Sequence, residues 1–123
     1  DSVASRGLGD VYKRQVCTGN DGMRDTWGPY GKPDMLERTM LVGLRNNFRR
    51  DDELALALDV ATYGNARVMG LADYGLAPGC HADFVLVDAE TVAEAIVSRP
   101  VRKLVVKRGR VVARDGRALA EAP

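Results

Sequence analysis

Leu36, Met40, Leu44 and Phe48 recur every fourth residue, joined by Leu41, and this spacing predicts a helix with one buried face. Asp34 follows Pro33 and precedes the run, with Glu37 three positions on, so the pair reads as a capping box. A second apolar set, Leu54, Leu58 and Ala61, widened by Leu56 and Ala57, follows Asp51, Asp52 and Glu53, whose charges favour a helix start. Gly64-Asn65 is expected to interrupt this helix. Ala66 to Met69 then forms a further short turn stopped by Gly70.

Beyond Asp73 the pattern changes. Pro78-Gly79 predicts a turn, Ala82 to Val87 a strand, and Glu90 to Val97 a short helix ending before Pro100. Leu104 to Val106 and Arg110 to Val112 flank Arg108-Gly109 as a hairpin, and Asp115-Gly116 predicts another turn. Near the start, Val16-Cys17-Thr18 is apolar and β-prone and ends at Gly19, as a buried strand running into a loop would. The loop from Asn20 to Pro33 holds several Gly and Pro, and irregular connections of this length are uncommon without a task.

The opening of the chain fits neither period. Ser5 to Gln15, SRGLGDVYKRQ, resembles the codon-by-codon translation of a transposase-type DNA-sequencing adapter. Residues 1–15 are therefore expected to be adapter-derived, with native sequence beginning near Val16 and further sequence missing upstream. Without them the acidic and basic residues are equal in number.

The 123 residues suffice for one ordinary domain and fall short of the roughly 250 of a barrel enzyme. A formal charge of +1, with acidic and basic residues interleaved, gives no footprint for nucleic acid. The most basic stretch, Arg99 to Arg117, alternates with valines and reads as the solvated face of strands. No apolar run is long enough for a membrane span, and no secretion signal is visible, so a cytoplasmic location is expected. Cys17 and Cys80 lack metal-ligand spacing and are expected to stay reduced.

Asp21, in GNDGMRDTW, is the residue on which chemistry turns. On pattern alone it either caps a turn through its side chain or serves as a metal ligand that also takes a proton from metal-bound water. Arg24 and Asp25 can pair locally. Tyr30, Tyr63, Tyr74 and the methionines read as packing residues, and His81 and Cys80 as structural or exposed.

Three passages carry a resemblance: GNDGMRDTWGPYG followed by DMLERTMLVGLRNNF; ATYGNARVMGLADYGLAPGCHADFVLVDA; and VRKLVVKRGRVVARDG. From Val16 to Gly116 the chain resembles the C-terminal part of metal-dependent amidohydrolases, most closely the cytosine deaminases of pyrimidine metabolism. The second passage is similar to the family's NAARxLGL and ADLVVLD pattern. The resemblance implies an α/β fold: the last strand and closing helices of a (β/α)8 TIM barrel over residues 16–73, and part of a small composite β-sandwich over 74–123. It implies that Asp21 is a metal ligand and the general base, that Trp27 lines the substrate pocket, and that the intact parent holds one divalent ion, zinc or iron. Its partner would be a small nitrogen heterocycle rather than nucleic acid or membrane, and the parent a homo-oligomer.

Where some cytosine deaminases carry His-Asp-Asp, this chain has Asn20-Asp21-Gly22, which leaves a triazine amidohydrolase acting on N-alkylated rings as the alternative. A non-enzymatic α/β binding domain is the other. With His81 the lone histidine, the remaining metal ligands are expected upstream, and the chain as given is expected to be inactive and to fold poorly alone.

Overall fold

A computed structural model describes residues 15–119. The reading of residues 1–15 as adapter-derived lies outside it, apart from Gln15.

Helix α1, Met35–Arg45, starts where Asp34 accepts hydrogen bonds from the Leu36 and Glu37 amides at 3.0 and 3.2 Å. Only half of the predicted capping box forms, because the Glu37 carboxylate turns toward Lys32 Nζ, 3.8 Å away. The helix ends in a Schellman motif. Asn47 takes a left-handed φ of 53°, and the Phe48 amide reaches back to Gly43 O at 2.9 Å. Phe48, expected within the helix, therefore lies just past it.

Helix α2, Asp51–Ala61, begins as predicted, its first turn secured by Glu53 Oε2, which accepts from the Arg49 and Arg50 amides at 2.8 and 3.1 Å. The break comes at Thr62, whose hydroxyl donates to Leu58 O at 2.7 Å. Gly64 and Asn65 then sit inside helix α3, Tyr63–Val68, not between helices as expected. Gly70, at φ 70°, stops α3 as predicted.

The C-terminal part is an antiparallel meander of β1 (Phe84–Val87), β2 (Arg102–Lys107), β3 (Arg110–Arg114) and β4 (Arg117–Ala118), in sequence order. Both tight turns are left-handed at their two central residues: Arg108-Gly109 at φ 49° and 77°, and Asp115-Gly116 at 51° and 78°. These are the primed turns that match the right-handed strand twist. Strand β1 starts two residues later than predicted because Ala82 and Asp83 serve the hairpin instead. Ala82 O accepts the Gly109 amide at 3.0 Å, and the Asp83 carboxylate accepts from the Arg108 amide at 2.6 Å and Lys107 Nζ at 3.1 Å. These contacts, led by the Arg108 amide bond, hold the Asp83 carboxyl below the usual carboxylate range.

Between β1 and β2 runs helix α4, Val92–Ser98, capped by Thr91 and ended by Arg99 at φ 46°. It packs against α2 and α1. The buried residues of these helices are Thr39 and Gly43 on α1, Ala57 on α2, and Ala95 and Ile96 on α4, mostly small. The predicted α1 stripe is thus displaced. Leu44 is 73% exposed and the buried line runs through Thr39 and Gly43. Thr39, buried there, satisfies its hydroxyl on Met35 O at 2.8 Å. Arg102 of β2 forms a half-buried ion pair with Asp34, which joins the sheet to the start of α1.

Candidate active site

Residues 15–22 form no strand, in contrast to the strand expected at Val16 to Thr18. A strand exists only through hydrogen bonds to a neighbouring strand, and here the Thr18 amide bonds instead to Asn65 Oδ1 at 3.0 Å. The Asn65 amide nitrogen is anchored in turn on Ala61 O at 2.9 Å. Next to Asn65 on α3, Gly64 lets the backbone pass: a Cβ at Gly64 would lie 2.5 Å from Val16 O and 3.1 Å from Asp59 O. The Gly64-Asn65 pair therefore docks the segment that leads into Asp21 against helix α3.

Asn20 is held on its other side. Its Oδ1 accepts from Arg38 Nη2 of α1, and its Nδ2 donates to Gly22 O at 3.1 Å. Asp21 lies within this ring at φ 61°, a left-handed conformation that Asp tolerates better than most residues. Its carboxylate is exposed and accepts no hydrogen bond among the described residues, so Asp21 is not a side-chain turn cap.

The capping work in the loop falls to Asp25. Its Oδ1 accepts from the Trp27 and Gly28 amides at 2.9 and 3.1 Å, and no ion pair joins it to Arg24. The other Asp25 oxygen presses against Gly22, where any Cβ would collide with it. Gly31 passes equally close to Gly22 O, with Met23 Cα 2.8 Å from the place of a Cβ. The loop is thus pinched at Gly22 and Gly31. A side chain at Gly22 would require the Asp25 carboxylate, which caps Trp27 and Gly28, to shift. Trp27 and Tyr30 project from the loop at 96% and 93% exposure. The structure makes no direct bond between Trp27 and Asp21; the short loop alone relates them.

Asn20, Tyr30, Lys32, Asp34, Glu37, Arg38 and Leu41 line a shallow recess between the loop and α1. Within it, Arg38 Nε and Glu37 Oε2 are buried without hydrogen-bond partners among the described residues. Leaving such a group unbonded costs about 1–3 kcal/mol, so the guanidinium is placed for Asn20 at the expense of its Nε donor.

A divalent metal needs at least four donors. Asp21 offers one carboxylate, and among the described residues no three His, Cys, Asp or Glu side chains come together to hold an ion. Asp21 is suited to be one ligand, but the described residues do not make a metal site. His81 is exposed, and its amide bonds to Asp73 O at 2.9 Å. Cys17 and Cys80 are free thiols. Tyr63 and Tyr74 pack edge to face, ring centres 5.4 Å apart, and burial first, then Tyr63 and Asp83, raise the Tyr74 phenol above its ordinary value. No helix among the described residues is long and apolar enough to cross a membrane.

Sequence reasoning missed Arg38, Gly64 and Asn65 as supports of the site. Asn65 was visible as the Asn of the GNAR run; nothing in the sequence singled out Arg38.

Comparison with known proteins gives concordant results. The pattern of the Amidohydrolase family matches residues 13–117. N-isopropylammelide isopropyl amidohydrolase of Pseudomonas sp. (strain ADP) is 31% identical over 97 residues, covering 78% of this chain and 24% of that protein. Among solved structures, N-isopropylammelide isopropylaminohydrolase from Burkholderia multivorans ATCC 17616 is 57% identical with a TM-score of 0.87, covering 96% of this chain and 29% of that one. The 5-methylcytosine deaminase from Klebsiella pneumoniae liganded with 5-fluorocytosine is 27% identical with a TM-score of 0.78, covering 96% of this chain and 28% of that one. The chain thus spans between a fifth and a third of the length of the relatives it matches.

Proposed function

The chain belongs to the Amidohydrolase family, and on that footing we propose that it is the C-terminal part of a hydrolase that removes an alkylamino group from an N-substituted triazine ring. The observation that carries this reading is the 57% identity to the Burkholderia enzyme over 96% of the chain, against 27% to the cytosine deaminase. The sequence agrees with it in having Gly22 where some cytosine deaminases place a second acidic residue after the base. In this reading residues 16–73 supply the last strand and closing helices of a (β/α)8 barrel, and 74–123 part of a composite sandwich.

Water adds to the ring carbon that bears the amine, and the carbon–nitrogen bond breaks to leave a ring carbonyl and a free amine. Asp21 takes a proton from the attacking water and returns one to the departing nitrogen, so the carboxylate ends as it began. A divalent ion bound beside it would acidify that water. Trp27 covers the ring as an apolar wall, which explains why so large a side chain sits exposed on a constrained loop. Hydrolytic deamination of cytosine is the second reading, favoured by the shared architecture with the deaminase.

The test is an assay of the full-length protein with N-isopropylammelide and with cytosine, measuring isopropylamine and ammonia. Release of isopropylamine at a kcat/KM at least about tenfold above that for cytosine supports the triazine reading. The reverse ratio supports the deaminase, and activity on neither, in protein loaded with zinc or iron, sinks both.

A further inference from the structure

The geometry points to Arg38 as a positioning residue: we propose that, through Asn20, it fixes the peptide that carries Asp21 and so the direction in which the Asp21 side chain leaves the backbone. The guanidinium can only donate, so the Asn20 oxygen must face Arg38 and the Asn20 nitrogen must face Gly22 O. The Asn20 side chain thereby bridges across Asp21, from the residue before it to the residue after it. The bridge encloses a non-glycine residue at φ 61°, a backbone state that persists only where its surroundings hold it.

The carboxylate of Asp21 has no hydrogen bond of its own among the described residues, so what the loop fixes is the backbone and the direction in which the side chain leaves it. Arg38 makes no ion pair among them, and its Nε is buried without a partner. Its polar engagement is with Asn20. Helix α1, on which Arg38 stands, is fixed at its start by the Asp34 cap and the Arg102 ion pair. Arg38 carries that fixed position to the loop.

The kinetic part of the test rests on the proposed hydrolase reading; a second part does not. In the full-length enzyme, Arg38→Met keeps the aliphatic stem and removes the donors. It is expected to lower kcat about 10- to 100-fold with KM changed less than about threefold, the pattern of a misplaced catalytic group. Arg38→Lys, which keeps one donor, should recover part of the loss. Asn20→Leu should match Arg38→Met, and the double variant should be no worse than the poorer single, since both break one unit. A raised KM with unchanged kcat, or additive losses, would overturn the proposal.

The second part is cleavage by trypsin after Arg24 under native conditions, which needs no substrate. Arg38→Met and Asn20→Leu should each speed cleavage about tenfold without lowering the unfolding midpoint, as expected for a local opening. Unchanged cleavage in both overturns the proposal. If Arg38→Met fails to fold, Asn20→Leu and Arg38→Lys decide it. If the wild type hydrolyses neither heterocycle, the functional reading fails and the trypsin comparison still decides the positioning role.

Discussion

Asn65 Oδ1 accepts the Thr18 amide hydrogen at 3.0 Å while Asn65 Nδ2 donates to Ala61 O at 2.9 Å, so one side chain splices the segment before Asp21 to helix α3. Both ends of that amide are in use. Asn65→Ala removes the Thr18 acceptor and is expected to cost about 1–2 kcal/mol, with faster amide exchange at Thr18. Urea denaturation with exchange measured residue by residue checks both.

Two glycines separate close approach from mere smallness. At Gly64 a Cβ would lie 2.5 Å from Val16 O, whereas at Gly43 its nearest neighbour would be Leu54 Cδ2 at 3.6 Å, an ordinary contact. Helix propensity favours alanine over glycine by up to about 1 kcal/mol at either position. Gly43→Ala should therefore raise the urea midpoint. Gly64→Ala should lower it, because a backbone carbonyl must move.

Asp34 caps α1 and pairs with Arg102, with 19% of its side chain exposed. Asp34→Ala should cost about 1–3 kcal/mol, more than the roughly 1 kcal/mol of a cap alone. Asp34→Asn keeps the cap and weakens only the ion pair, so its loss should be the smaller one in the same unfolding series.

Asp83 contributes to the pH dependence with a definite sign. Its folded-state carboxyl titrates below the unfolded value because the Arg108 amide and Lys107 favour the charged form. The stabilisation is present above the unfolded pKa and is lost as pH falls through the folded one. Asp83→Asn should flatten the fall in thermal midpoint with acidification and lower the midpoint at neutral pH. Melts across the acidic range read both effects.

Because the Asp21 carboxylate accepts no hydrogen bond among the described residues, and Asn also tolerates a left-handed φ, Asp21→Asn should leave stability within about 0.5 kcal/mol of wild type. On the proposed hydrolase reading, the same change in the full-length protein should cost about 10²- to 10⁴-fold in turnover, the usual range for a lost general base. A stability loss matching the activity loss would place Asp21 in the fold rather than in the chemistry.

Apolar spacing gave the right helices wherever a local signal ended them. Asp34 started α1, the acidic trio started α2, Gly70 stopped α3, and the Arg-Gly and Asp-Gly pairs made the two turns. The spacing failed where packing chose. Leu44 belongs to the periodic stripe yet is 73% exposed, while Thr39 is fully buried, because α1 meets α2 and α4 along the line through Thr39 and Gly43. Gly64-Asn65 read as a helix break for a similar reason. Sequence reports a glycine's weak propensity but not the carbonyl that passes over it.

By itself the sequence determined most of the helices and strands and both tight turns, though not the expected strand at Val16 to Thr18, and it marked Asp21 as the residue to watch, since each of these depends on neighbours a few positions away. Only the tertiary structure decided what holds Asp21: Thr18 on Asn65, Asn20 on Arg38, and Gly22 against Asp25. The first two pairs lie 47 and 18 residues apart. Hydrogen bonds across such separations leave no periodicity in the chain, because they depend on where helices α1 and α3 come to rest, and that is set by packing.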